Sequence, residues 1–112
     1  MIYKNRRNNL IGYCQGFNFV AARILSVIDD EEKAFWVFVQ IIESLLPINY
    51  YSEMAGVMID SIILNKLIVH YLPEFFNYMK ERDIQIYISN FIFKWQISLF
   101  VQSIPQEVYI IL

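Results

Sequence analysis

The sequence predicts an all-α fold, a helical array in which one helix follows another with few breaks. Three observations carry this prediction. Apolar residues recur at helical spacing almost throughout. Only three Gly and three Pro interrupt the 112 residues. Each proline also falls where a helix is expected to stop or start. No internal repeat, low-complexity stretch or flexible linker divides the chain, so residues 1–112 read as one domain or part of one.

The first helix is expected from about Gln15 to Val27, where Phe19, Ala22 and Leu25 share a face, just after the turn bounded by Gly12 and Gly16. The acidic run Asp29, Asp30, Glu31 and Glu32 precedes the apolar series Phe35, Phe38, Val39 and Ile42. Asp29 and Glu32 have capping-box spacing, and negative charge at this end suits the helix dipole. A metal site is the functional alternative, but four adjacent carboxylates cannot all converge on one ion. This helix is expected to end near Leu46, because Pro47 cannot continue it. After a connection from Pro47 to Glu53, Met58, Ile62, Leu67 and Val69 belong to a third helix starting near Ala55 or Asp60. Pro73 then starts a short helix carrying Phe75, Phe76 and Met79. Lys80 to Asp83 reads as a solvated junction, Ile84 to Ser103 as one helix or two short ones, and Pro105 as the start of a last segment.

The chain is 57% hydrophobic, 17% aromatic and 18% charged, against about 45–50% apolar and about 25% charged in an ordinary soluble domain. Disorder is excluded on these grounds. A chain this short cannot bury so many large side chains, so apolar surface should remain for lipid, a partner or another part of the same domain. Lipid fits poorly. The greasiest stretch, Asp83 to Glu107, carries Gln85, Ser89, Asn90, Lys94, Gln96, Gln102, Ser103 and Pro105, whereas a span needs about 20 mostly apolar residues. A net charge of -2 and dispersed cations after Lys4, Arg6 and Arg7 argue against nucleic acid. The lone Cys14 excludes an intrachain disulfide framework and points to a reducing setting. The polar opening has no signal-peptide pattern.

A generic search for chemistry gives little. His70 is the only histidine, which excludes metal sites built on several imidazoles, and between Val69 and Tyr71 it reads as a core or interface residue. No local motif supports a Cys14–His70 nucleophile pair, and no Gly-rich phosphate loop is present. The pentapeptide Gly12-Tyr13-Cys14-Gln15-Gly16 stands out, because two glycines bracket a polar residue at a helix start. That arrangement can push a side chain outward on a stiff turn. On spacing alone, a plain tight turn with Tyr13 packed and Gln15 merely exposed explains it at least as well.

The stretch Ile11-Gly12-Tyr13-Cys14-Gln15-Gly16-Phe17-Asn18 resembles the signature of the TBC family of Rab GTPase-activating domains, with Phe17 where the family usually has Met. Further similar blocks follow in family order. They are Phe35-Trp36-Val37-Phe38, Glu43-Ser44-Leu45-Leu46-Pro47, Tyr50-Tyr51 with Met54-Ala55-Gly56, Leu72-Pro73, and Trp95-Gln96-Ile97-Ser98-Leu99-Phe100 with Ile104-Pro105. An ordered series over nearly the whole chain is not a chance match, and it implies the middle-to-late portion of that all-helical domain.

The resemblance implies an activator rather than an enzyme, acting in trans on a Rab-family small GTPase in vesicle trafficking. Gln15 would be the glutamine finger that orients the attacking water, a task suited to an amide that accepts and donates at once. Gly12, Tyr13, Cys14, Gly16 and Asn18 would support it. No cofactor or metal of its own is expected, since GTP and Mg²⁺ belong to the partner GTPase. It implies a cytoplasmic protein, recruited to endomembranes only through the Rab. The family's second element, an arginine in an Ile-x-x-Asp-x-x-Arg motif upstream of the glutamine motif, has no counterpart in these residues, and the family's final helices are expected beyond Leu112. An arginine finger contributes about 10³–10⁵ in rate, so the isolated chain is expected to be feeble. The alternative is a non-catalytic TBC-like module that binds a GTPase or another partner without stimulating hydrolysis.

Overall fold

The computed structural model describes residues 11–111, with side chains to position 108; Lys4, Arg6 and Arg7 therefore lie outside the described residues. Six α-helices and no strand occur among them: α1 (Phe17–Leu25), α2 (Glu31–Gln40), α3 (Ala55–Tyr71), α4 (Pro73–Glu81), α5 (Gln85–Ile97) and α6 (Gln106–Ile111). The all-α expectation holds, while several boundaries move for local reasons.

Helix α1 begins at Phe17 rather than Gln15, because its N-cap Gly16 has φ 115°, outside the helical region. At α2 the cap is Asp30, not Asp29. The Asp30 carboxylate accepts from the Lys33 backbone N–H at 3.0 Å, taking up one of the donors that a helix start leaves over. The regular part of α2 ends at Gln40, and a π-helical turn, Ile41–Leu45, closes it through Leu46 N–H donating to Ile41 O at 3.2 Å. Pro47 follows directly, so the chain leaves the helix there.

The connection to α3 carries the left-handed residues Glu53 and Met54 (φ 51° and 60°). It then lies back on the first turn of α3. Gly56 N–H donates to Asn49 O and Val57 N–H to Tyr50 O, at 3.1 and 3.2 Å. A Cβ on Gly56 would stand 2.5 Å from Tyr50 Cα, so only glycine admits this approach. Helix α3 thus starts at Ala55. Pro73 occupies the first turn of α4, as its fixed φ favours. Helix α5 stops at Ile97, short of Ser103. There the Ser98 hydroxyl donates back to Lys94 O at 2.9 Å and the backbone reverses through left-handed Leu99 and Phe100.

The core gathers Phe17 and Val20 of α1, Phe38 and Val39 of α2, Ile42 of the π turn, Tyr50 and Tyr51, Val57 of α3, and Val101. Cys14 of the Gly12–Gly16 turn is part of it. Away from it α3 packs on α5, where Ser61 donates to the buried Gln96 carbonyl. The rest of α3, with α4 and much of α5, leaves Met58, Ile62, Leu67, Phe75, Tyr87 and Phe91 exposed. No single described helix is long and apolar enough to cross a membrane; α3 with its lead-in and α4 reach that length and composition only as a pair bent by 102°. His70 is exposed, its ring edge-on to Tyr71, so it is not a core residue.

Candidate functional site

Residues 12–18 form the turn that feeds α1, and its glycines set its shape. Gly12 and Gly16 both have positive φ, 61° and 115°. Gly16 is also buried against the end of α5, where a Cβ would come within 2.9 Å of Ile97 O. The same Ile97 carbonyl accepts from the Tyr51 hydroxyl at 3.2 Å. One carbonyl at the end of α5 therefore both abuts the turn and is tied to the connection after the π turn.

Two side chains of the turn point inward. Phe17 meets Phe38 and Tyr51 edge-to-face at centroid distances of 5.4 and 4.8 Å, geometry that aromatic pairs favour. Cys14 is 5% exposed, with its thiol directed to Gln15 O at 3.4 Å and Met54 Sδ at 3.9 Å. Burial pushes the Cys14 thiol up to about 11. A thiol held neutral is no nucleophile at ordinary pH, so Cys14 is a packing residue. Phe17, standing where the family usually has Met, is an aromatic keystone of this core, a role its place in the motif did not reveal.

Three others face out. Gln15 is exposed, immediately before the N-terminus of α1, and its amide has no hydrogen-bond partner among the described residues. Asn18, one turn on, is exposed too. Tyr13 is 58% exposed and touches Phe17 only edge-on, at 6.4 Å, so it is not packed away. Backbone bonds fix the turn beneath them: Phe17 N–H donates to Cys14 O at 3.1 Å, and Phe19 N–H to Gly16 O at 3.0 Å. The first turn of α1 contains no acidic residue, so its positive end next to Gln15 is uncompensated locally. Chemically, among the described residues this is an exposed amide on a rigid mount, with no nucleophile or general base beside it. Among the described residues no three His, Cys, Asp or Glu side chains cluster as metal ligands.

The family model of the Rab-GTPase-TBC domain matches residues 1–112. The chain belongs to this family. Among curated proteins, it is 36% identical to TBC1 domain family member 2A of Rattus norvegicus over 103 residues, 91% of this chain and 11% of that protein. It is 31% identical to Growth hormone-regulated TBC protein 1 of Xenopus tropicalis over 107 residues, 96% of this chain and 31% of that protein. It is also 47% identical to Small G protein signaling modulator 3 of Rattus norvegicus over 77 residues, 68% of this chain and 10% of that protein. This TBC segment thus spans between about a tenth and a third of these relatives' lengths. No solved structure matches it.

Within the TBC segment, several of the blocks that resembled the family are neighbours in space, while Leu72-Pro73 lies apart at the junction of α3 and α4. The glutamine turn, Tyr50-Tyr51, Gly56 and Ile97 meet around one core. Tyr51 and the end of α5 are the neighbours of the turn that sequence reasoning missed. Their motif blocks were visible, but nothing local says that they brace the turn.

Proposed function

We propose that this chain acts in trans on a GTP-loaded Rab, inserting Gln15 into the nucleotide pocket so that its amide orients the attacking water. One observation carries the reading: an exposed glutamine amide stands on a turn fixed from both sides, by buried Cys14 and Phe17 within it and by Ile97 behind Gly16. Such a mount suits phosphoryl transfer, where catalysis is largely positioning and charge stabilisation. The uncompensated end of α1 is electrostatically compatible with approaching phosphates. The chain supplies no cofactor; GTP and Mg²⁺ come with the Rab. Localisation would follow the Rab, a cytoplasmic domain recruited peripherally to endomembranes.

The test is single-turnover GTP hydrolysis across a panel of Rabs. It compares this chain, a version extended upstream to include an Ile-x-x-Asp-x-x-Arg motif, and the extended Gln15→Ala variant. The extended protein is expected to accelerate hydrolysis, and Gln15→Ala to lower the saturating rate by about 10²–10³, the usual loss when one preorganised polar group is removed. Binding of a Rab with no acceleration would put the non-catalytic module in place of the activator.

A further inference from the structure

Tyr51 touches both supports of the glutamine turn. It is 4% exposed, and its ring meets the Phe17 ring edge-on at a centroid distance of 4.8 Å. Its hydroxyl donates at 3.2 Å to Ile97 O, the carbonyl that a Cβ on Gly16 would approach within 2.9 Å. Gly16 and Phe17 are the two residues that follow Gln15. The contacts therefore close a loop through space, from Phe17 to Tyr51, on to Ile97 and back to Gly16.

Both ends of the Tyr51 link have a physical reason. A helix leaves its last carbonyls without intrahelical donors. At the end of α5 the backbone takes up two of them, with Leu99 N–H donating to Gln96 O at 3.1 Å and Phe100 N–H to Trp95 O at 2.6 Å. The Ile97 carbonyl takes the Tyr51 hydroxyl, and a buried phenol needs such a partner. The Ser61 hydroxyl, donating to the Gln96 side-chain carbonyl, ties the same end of α5 to α3. Those bonds hold α5 to itself and to α3, whereas the Tyr51 hydroxyl joins it to the segment packed on Phe17.

We propose that Tyr51 is a positioning residue for Gln15: through Phe17 and the Ile97 carbonyl it fixes the direction in which the glutamine amide leaves the turn. The proposal rests on the finger reading. Buried as it is, Tyr51 does not meet a partner's nucleotide itself, so its effect on hydrolysis passes through Gln15. Misplacing an aligning group by about 1 Å can cost about 10²-fold in rate. The exposed surface that recognises a GTPase is left as it was. Tyr51 thus governs the saturating rate rather than the affinity.

The experiment uses the full-length protein and the Rab it stimulates best. Tyr51→Phe removes the hydroxyl and keeps the ring on Phe17. It is expected to lower the saturating rate about tenfold, with half-saturation and binding to a Rab loaded with a non-hydrolysable GTP analogue both within about twofold of the parent. A double-mutant cycle separates positioning from a merely structural role. In a Gln15→Ala background, already slowed by about 10²–10³, Tyr51→Phe is expected to cost less than about twofold more. Amide exchange is the second reading. The Phe17 and Phe19 N–H groups, whose bonds close the turn, should exchange about tenfold faster in Tyr51→Phe, while the amides of α4 stay as they were. Suppose that Gln15→Ala loses turnover, yet Tyr51→Phe turns over like the parent, costs the same factor with and without Gln15, or leaves both turn amides as protected as before. Any of these overturns the positioning proposal, and the finger stands. If Gln15→Ala itself keeps full turnover, the finger reading falls and the proposal falls with it.

Discussion

At the scale of single residues, the glutamine turn is held by groups that do no chemistry. Gly16 is the most exacting of them, since its φ of 115° and the Ile97 carbonyl behind it oppose any side chain. Strain of this kind costs about 1–3 kcal/mol. Gly16→Ala is expected to destabilise the fold by about that much in chemical denaturation, and to lower activation of a Rab by displacing Gln15. Gln15→Ala should leave stability within about 0.5 kcal/mol, as exposed substitutions usually do. A Gly16→Ala variant as stable as the parent would show that the turn is not braced by α5. Titration supplies a second residue-scale prediction. Burial raises the Cys14 thiol to about 11 from 9.0. Burial, and then the Asp60 carboxylate, raise the Tyr50 phenol to about 12 from 10.0. In both cases the folded state holds its proton more tightly than the unfolded chain. The stability involved is fully present below pH 9 and is lost as pH climbs through the window from 9.0 to about 12. Denaturant midpoints measured from pH 7 to 12 should therefore fall only in that alkaline range, and Cys14 should resist alkylation at pH 8 until the protein is unfolded.

Single helices show which parts of the fold a sequence can announce. Pro73 fixed the start of α4 and the acidic run located the start of α2, because both signals act within one turn. The choice of Asp30 over Asp29 was not legible: it depends on which residue keeps an extended backbone, here Asp30 with φ -80° and ψ 111°. Asp30→Ala should cost about 1 kcal/mol in thermal or chemical unfolding, and Asp29→Ala much less. Equal costs would mean that bulk charge near the helix dipole, rather than the bond to the Lys33 N–H, is what stabilises α2. The Asp30–Lys33 ion pair at 3.6 Å is exposed and contributes little to this difference. The end near Leu46 was legible from Pro47, but the π turn that closes α2 and the early end of α5 were illegible for another reason. The π turn at 41–45 and the reversal at Leu99 and Phe100 swing Ile42 and Val101 into the core beside α1, and a periodicity count along one segment carries no information about that destination. The candidate site divides the same way. Gln15 was found through the motif that surrounds it, whereas its brace, Ile97, lies far along the chain and could be found only in three dimensions.

Across the whole molecule, the composition and the shape make one argument. The chain extends over 49 × 32 × 19 Å with a radius of gyration of 16.1 Å, where a compact domain of about 100 residues measures about 13 Å. Its thin axis is about two helix diameters, so few helices can be covered on every side. Helix α3 suffers most: it is apolar nearly all round, a pattern of helices buried in larger proteins, yet Val57 is its only buried residue among those described. Met58, Ile59, Ile62, Ile63 and Leu67 stay exposed along it, and Ile86, Tyr87 and Phe91 along α5. Contiguous apolar surface of that extent does not persist in water without a consequence. The matched relatives are about three to eight times the length of this chain, and further helices of the same domain are the expected cover. Expressed alone, the 112 residues should therefore self-associate in sedimentation experiments and bind a hydrophobic dye such as ANS. Extension to the relatives' domain length should abolish both, and so should Ile62→Glu combined with Leu67→Glu in the short chain, without lowering its unfolding midpoint. A short chain that stays monomeric and dye-silent would mean that α3 and α5 are covered from within. The exposed face would then cease to be a reason for expecting a larger domain around the glutamine turn.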